Sequence, residues 1–501
     1  MNHGADGPTL SRRQLLLGGT TIAAAAAVTA SDRFATRSIR HVAARVLPAV
    51  PPAPPVDVID APSMPPFHTR PDLQIPGLTV NVAEPGIAPG LLFLAPYNAP
   101  NGAQAGAMIA DNAGRPAWEH PLANLVTADF RVQPYRGVPV LTWWQGYVTL
   151  GHGVGRYVIA DTSYRPIASV DAGDGYQGDL HEFLLTDRGT ALLTSYRVTR
   201  QDLRPIGGAQ DGSIQDALFQ EVDVATGTVL FEWHSLDHIP ITESYWPLAD
   251  DWDYVHLNSI AIDHDDNLLI SCRNTHAIYK LDRATGEIIW RLGGRSSDFA
   301  IDSDAGFAWQ HDARRQRDGS LTMFDNGYRV SRALILNVDE TARRVSLVRA
   351  YTRGTRLHAV SQGNLQVLPN GNVFVGWGAE PYVSEFTAAG QLIFDAELPA
   401  GHISYRAFRA DWSGSGVGQP TVTTQRAGRY ADVYVSWNGD TRVSRWIADA
   451  GTDLTEPAPV AVVARTGFET GMRIPSTYTQ VRLVGVDDRG RTLTTSDAIP
   501  L

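Results

Sequence analysis

The feature that most constrains this chain is a twofold alternation that recurs six times. Short apolar hairpin or strand segments occur at Gly90–Asn98, Gly137–Gly146, His181–Tyr196, Asn258–Cys272, His311–Asp325 and Asn364–Trp377. Between them lie short turns, each leading into a strand, that begin at Ala110, Ala160, Asp223, Asp282, Asp339 and Phe386. The turns are spaced by roughly 45–62 residues, the size of a propeller blade. Gly, Asp and Asn punctuate the segments, and after the first thirty residues long helical periodicity is hard to find. The fold class expected is therefore all-β, a six-bladed β-propeller over about 75–410. Two stacked sandwiches are the competing arrangement, and regular spacing is their weak point.

The flanks read differently. Ser11-Arg12-Arg13-Gln14-Leu15-Leu16 and the apolar run through Ala27 form a twin-arginine signal over 1–30, with Val28-Thr29-Ala30 as a small-residue cleavage site. The expected route is export to the envelope or exterior. Residues 31–74 carry Pro48, Pro51, Pro52, Pro54, Pro55, Pro62, Pro65 and Pro66, the composition of an extended arm. After Trp412, Ser413-Gly414-Ser415-Gly416 marks a boundary. Residues 411–501 then alternate in short strands such as Asp432–Trp437 and Gln480–Val486. The pattern is that of a fibronectin III or immunoglobulin-like β-sandwich, with Trp437 and Trp446 in its core.

Composition excludes several chemistries. Cys272 is the only cysteine, so no intrachain disulfide and no cysteine metal site is possible. Lys280 is the only lysine and follows Tyr279, so there is no Walker-type phosphate loop. A net charge of −11 argues against nucleic acid as a partner.

The densest stretch is Trp252–Gly294. It reads as four short strands, with a hairpin turn at Asp265-Asp266-Asn267 and a second turn at Thr285-Gly286. A turn centred between Asp265 and Asp266 would set Asn258 opposite Arg273, with His256 pointing the same way. His181 and His311 each stand eight residues before a hairpin glycine, Gly189 and Gly319. Equivalent blade positions meet at the central axis, so His181, His256 and His311 are expected at one mouth of the channel with Arg273. Neutral imidazoles, an amide and a guanidinium suit an anion better than a metal ion, and no HExxH is present. No metal and no cofactor is called for.

Trp252–Gly294, together with Trp309-Gln310-His311-Asp312, resembles the arylsulfotransferase family of exported propellers, in the branch found in actinobacteria and fungi. The resemblance covers about 75–410. It implies a six-bladed propeller that moves a sulfuryl group from an aryl sulfate to a phenol, without a nucleotide donor, through a sulfated histidine. That histidine matches His311, and the supporting residues match His256, Asn258, Arg273 and His181. The implied partners are a small aryl sulfate and a phenol; oligomeric state is not implied. The chemistry suits these residue types, because a loose sulfuryl-transfer transition state needs a neutral nucleophile and preorganised donors for three oxygens. Two other functions compete. Leu281–Trp290 resembles the tryptophan-docking repeat of quinoprotein dehydrogenases, although only one good copy exists. A non-catalytic exported binding propeller is the other.

Overall fold

The computed structural model describes residues 57–97, 104–354, 356–455 and 458–501. The twin-arginine motif and much of the proline-rich arm lie outside them. Among the described residues the strands form eight sheets, and helix is confined to short turns.

Six of the sheets follow one another along the chain. The second runs Val126–Tyr135, Val138–Thr149, His152–Ala160 and Pro166–Val170, each strand antiparallel to the next. The third spans Phe183–Leu185 to Val229–His234 and the fourth Leu257–Ile262 to Ile288–Gly293. The fifth runs outward from His311–Arg315 to Arg344–Tyr351, with Ala300–Ile301 paired parallel to that outer strand, and the sixth runs outward from Asn364–Val367. The first sheet is made from both ends of this region. Phe408–Ala410 pairs with Leu91–Leu94, and Gly106–Ala110 and Pro116–Pro121 complete it. Thr79–Ala83 adds an outer fifth strand to the sixth sheet. The first sheet touches the second and, through Phe408–Ala410, the sixth, so the succession closes on itself.

Local chemistry explains the recurrent turns. Asp111, Asp161, Asp223, Asp282 and Asp339 each accept a hydrogen bond from the backbone N–H two residues on, at 2.8–3.0 Å. Tryptophans then join neighbouring sheets. Trp233 Nε1 donates to the Gly286 carbonyl at 3.0 Å, and Trp290 Nε1 to Glu340 at 3.0 Å. Packing between sheets thus accounts for the isolated docking-like motif at Leu281–Trp290.

One expected register is corrected. The hairpin of the fourth sheet pairs Ser259 with Ser271 and Ile262 with Leu268, so its turn centres on Asp265. A bulge follows between Leu257 and Ser259, where Leu257 pairs with Cys272. Asn258 falls in that bulge and does not oppose Arg273. His256, at φ 52, has already left the extended region. The two residues therefore do not share a strand face.

The chain after Trp412 forms two further sheets around one apolar core that includes Val433, Val435, Trp446, Met472, Ile474 and Leu483. Trp437 is in that core as well. The arm joins it. Val58–Ile59 pairs with Glu469–Pro475, Phe67 stacks on Phe468 at 4.3 Å, and Thr69 donates to Glu469. Glu119 and Asn438 exchange two hydrogen bonds between this unit and the first sheet.

Candidate functional site

Residues just before or at the start of the first strands of the third, fourth and fifth sheets converge on one cavity of about 600 Å³. His181, His256, His311 and Arg273 all line it, with His152, Tyr97, Gln362 and Tyr405. The ring centres of His181 and His256 are 4.7 Å apart, and those of His256 and His311 are 6.4 Å apart. Asn258 is not among the lining residues. It is fully buried, and its amide donates to the Gln310 carbonyl at 2.8 Å, which fixes the strand leading into His311.

Two of the imidazoles are held by carboxylates. His181 Nδ1–H donates to Asp179 at 2.5 Å, and His256 Nδ1–H donates to Asp253 at 2.5 Å. Each carboxylate fixes both tautomer and ring orientation and leaves Nε2 to carry the lone pair. Neither Nε2 has a hydrogen-bond partner among the described residues, and both residues line the cavity. Burial holds His256 down at about 4, outweighing Asp253, so its ring is neutral near pH 7. Asp179 and Asp253 lie below the usual carboxylate range, because the histidines beside them outweigh burial.

His311 is held otherwise. Its Nδ1–H donates to Asn326 Oδ1 at 2.7 Å, with the Trp309 carbonyl at 3.1 Å. The Asn326 amide is itself spent on the Ala359 and Gln362 carbonyls, so its oxygen must face the ring. His311 Nε2 accepts the Gln362 backbone N–H at 3.2 Å. Its lone pair is therefore committed, and the residue is 1% exposed. Burial, then Arg273, keep its pKa well below the ordinary histidine value. Asp312 turns the other way, onto Arg314 and Arg406.

Arg273 is clamped between aromatic faces, 5.2 Å from Trp246 and 4.8 Å from Trp309. Its Nη atoms donate to Asn274 and to the Val360 carbonyl, and Nε has no partner among the described residues. Burial lowers it to about 10, so it stays charged at neutral pH.

Sequence reasoning missed His152, Asp179 and Asp253. His152 follows the turn of a long hairpin in the second sheet and lies 3.1 Å from Asp253 through Nε2. Burial lowers its pKa, but the hydrogen bond and charge of Asp253 prevail and raise it. The available signal was local: an aspartate two residues before His181 and another three before His256.

Two groups of side chains could ligate a metal ion, His152 with Asp253 and His256, and His152 with Asp179 and His181. Two ligands on one tetrahedral ion at 2.0–2.2 Å sit about 3.4 Å apart. The 2.5 Å contacts within each group are hydrogen-bonding distances, so the residues as placed form Asp–His dyads.

No curated protein matches the chain in sequence. Among solved structures, it is similar to a protein of unknown function from Bacteroides caccae, at 12% identity and a TM-score of 0.41 over 64% of this chain and 98% of that one. The periplasmic gluconolactonase PpgL of Pseudomonas aeruginosa matches at 14% identity and 0.36, over 82% and 99%. A catalytically inactive virginiamycin B lyase from Staphylococcus aureus, solved with quinupristin, matches at 8% and 0.34, over 79% and 99%. Likenesses this remote assign it no activity. The family comparison is different in kind: the arylsulfotransferase (ASST) model matches residues 131–398, a span that contains the histidines, both dyad aspartates and Arg273, and with more than half of the sequence matched the chain belongs to the arylsulfotransferase family.

Proposed function

We propose that this protein is an exported aryl-sulfate sulfotransferase working through a sulfated histidine in the cavity described above. Its six successive sheets are the blades of one propeller over 75–410, and 411–501 is a separate sandwich. Family membership supports sulfuryl transfer between aryl sulfates and phenols in general. The observation that carries the mechanism is a neutral imidazole, buttressed by a carboxylate and open at Nε2, in the same cavity as a guanidinium.

The resemblance puts the attacked ring at His311. The hydrogen bonds favour His256, because the His311 lone pair is already engaged. In this reading His256 Nε2 attacks sulfur. The N–S bond forms as the S–O(aryl) bond breaks, and the phenolate leaves with the electron pair. The ring becomes positive, and Asp253 stabilises that charge through the Nδ1–H bond. The phenolate takes its proton from solvent, because His181 Nε2 carries a lone pair and serves as base rather than acid. An acceptor phenol then attacks the same sulfur, the N–S bond breaks, and His181 takes the phenol proton. Arg273 supplies positive potential for the equatorial oxygens. The cycle is ping-pong.

A chromogenic aryl sulfate mixed with the protein tests this reading. It predicts release of phenol, sustained only when an acceptor phenol is present, and loss of that release in His256→Gln. No phenol release from any aryl sulfate in a broad panel would sink it. Export is tested separately: Arg12→Lys with Arg13→Lys should leave the protein in the cytoplasm, and unchanged secretion would contradict the twin-arginine reading.

A further inference from the structure

Above the histidines the cavity wall carries apolar side chains where local structure gives no reason for them, beside the polar Gln215, Asp250 and Asp251. The hairpin between Val138–Thr149 and His152–Ala160 turns at Leu150-Gly151, with φ of 51 and 86. Two successive left-handed residues favour Asn-Gly. A leucine there is disfavoured by its own backbone, and Leu150 is 88% exposed, so folding does not account for it. Its position does. A Cβ on Gly151 would lie 3.9 Å from the His256 ring, so this turn sits beside the proposed nucleophile. Leu150 and Val148 line the cavity on that side. Trp246 lines it on the Arg273 side and is 41% exposed. Exposed Tyr147 and Leu248 are the chain neighbours of Val148 and the Trp246 loop. Volume points the same way. A ring the size of benzene occupies a cavity of about 150 Å³, and this one is about 600 Å³, the range of a drug-sized ligand.

We propose that Val148, Leu150 and Trp246 form a binding subsite for an apolar substituent carried by the aromatic substrate, so that the preferred substrates are phenols and aryl sulfates extended by an alkyl chain or fused rings. The proposal rests on the sulfuryl-transfer reading for the identity of the reacting group. Burial of each methylene is worth about fourfold in affinity (~0.8 kcal/mol).

The test compares phenyl sulfate with 4-butylphenyl sulfate as donors, in the wild type and in Val148→Ser/Leu150→Asn. Both positions are exposed, and asparagine suits the turn, so the fold is not at issue. In the wild type KM should fall at least tenfold on adding the butyl chain, with kcat little changed. In the double variant the fall should shrink below threefold, and phenyl sulfate kinetics should stay within twofold of wild type. A flat wild-type series, or an equal fall in the variant, overturns the subsite. Calorimetric titration with phenol and 4-butylphenol separates this from failure of the reaction itself. If no aryl sulfate turns over but affinity for 4-butylphenol is raised and the variant loses it, the sulfuryl reading fails and the apolar subsite stands. If phenol and butylphenol bind alike while the wild type alone dimerises in sedimentation, or alone sediments with phosphatidylcholine vesicles, the surface is an interface and the proposal is wrong.

Discussion

Two charged clusters lie back to back here, built from neighbouring residues. Glu182 follows His181, and Asp312 follows His311. The acids turn onto Arg406, which is fully buried and also pairs with Asp129 at 2.9 Å. Arg131 and Arg314 complete a set of three arginines and three carboxylates. The histidines turn into the cavity, where the Nε2 atoms of His181 and His256 have no partner among the described residues. The difference separates holding from reacting. A buried charge is tolerated when paired and hydrogen-bonded, and pairing leaves nothing for a ligand. A neutral imidazole avoids most of that cost, so it can be buried with a lone pair free. His311 shows the boundary between the two: it faces the cavity, yet its lone pair is spent on Gln362.

The comparison breaks most visibly at Arg406. Arg406→Ala leaves three buried carboxylates short of a partner and should cost about 3–5 kcal/mol in urea-induced unfolding. A loss below ~1 kcal/mol would mean the network is not holding the closing strand at Phe408–Ala410. On the cavity side, Arg273→Ala should lower turnover by about 10²–10³ while the unfolding midpoint moves little. Parallel loss of both would make Arg273 a structural arginine like Arg406.

Acid pH sharpens the contrast. Burial puts His256 at about 4, against about 6.5 unfolded. Asp253, His152, His181, His311, Tyr196 and Arg273 are titratable or charged groups around it. The acid limb of kcat/KM should therefore fall near pH 4, and a limb near 6.5 would contradict a desolvated nucleophile. The linked stability has the same sign. Between 4 and 6.5 the unfolded chain binds the extra proton, so this group's contribution to stability falls as pH drops through that window.

A pH effect of the opposite sign concerns Glu119, which has no hydrogen-bonded arginine among the described residues and is pushed up to about 8 by burial. The folded chain holds a proton there that the unfolded chain has released above about 4.5. Stability from this group is thus full below 4.5 and is lost as pH rises through 8. Glu119→Gln should flatten that slope between pH 5 and 8. An unchanged slope would show that an unpaired buried acid here is ionised after all.

Much of this was legible in order along the chain, and the rest was not. The Asp- and Gly-marked turns recur because each closes a local loop, so the strand succession could be read from residues a few places apart. His181, His256, His311 and Arg273 could be found because each stands at a strand end next to a recognisable turn. Asn258 was misplaced because one bulged residue shifts the register, and nothing local in Leu257-Asn258-Ser259 signals the bulge. His152 and Leu150 come from a neighbouring sheet, and Arg406 from just before the strand that closes the first sheet. Their partners are far away in sequence, and only the closed succession of sheets brings them together.

The central claim is that His256, oriented by Asp253, carries the transferred group. Rapid quenching of the protein with an aryl sulfate and no acceptor, followed by mass analysis of its peptides, tests this most directly. The account predicts one added sulfuryl group on the peptide containing His256, absent in His256→Gln and retained in His311→Asn. A sulfuryl group on the peptide containing His311, still present in His256→Gln, would contradict it.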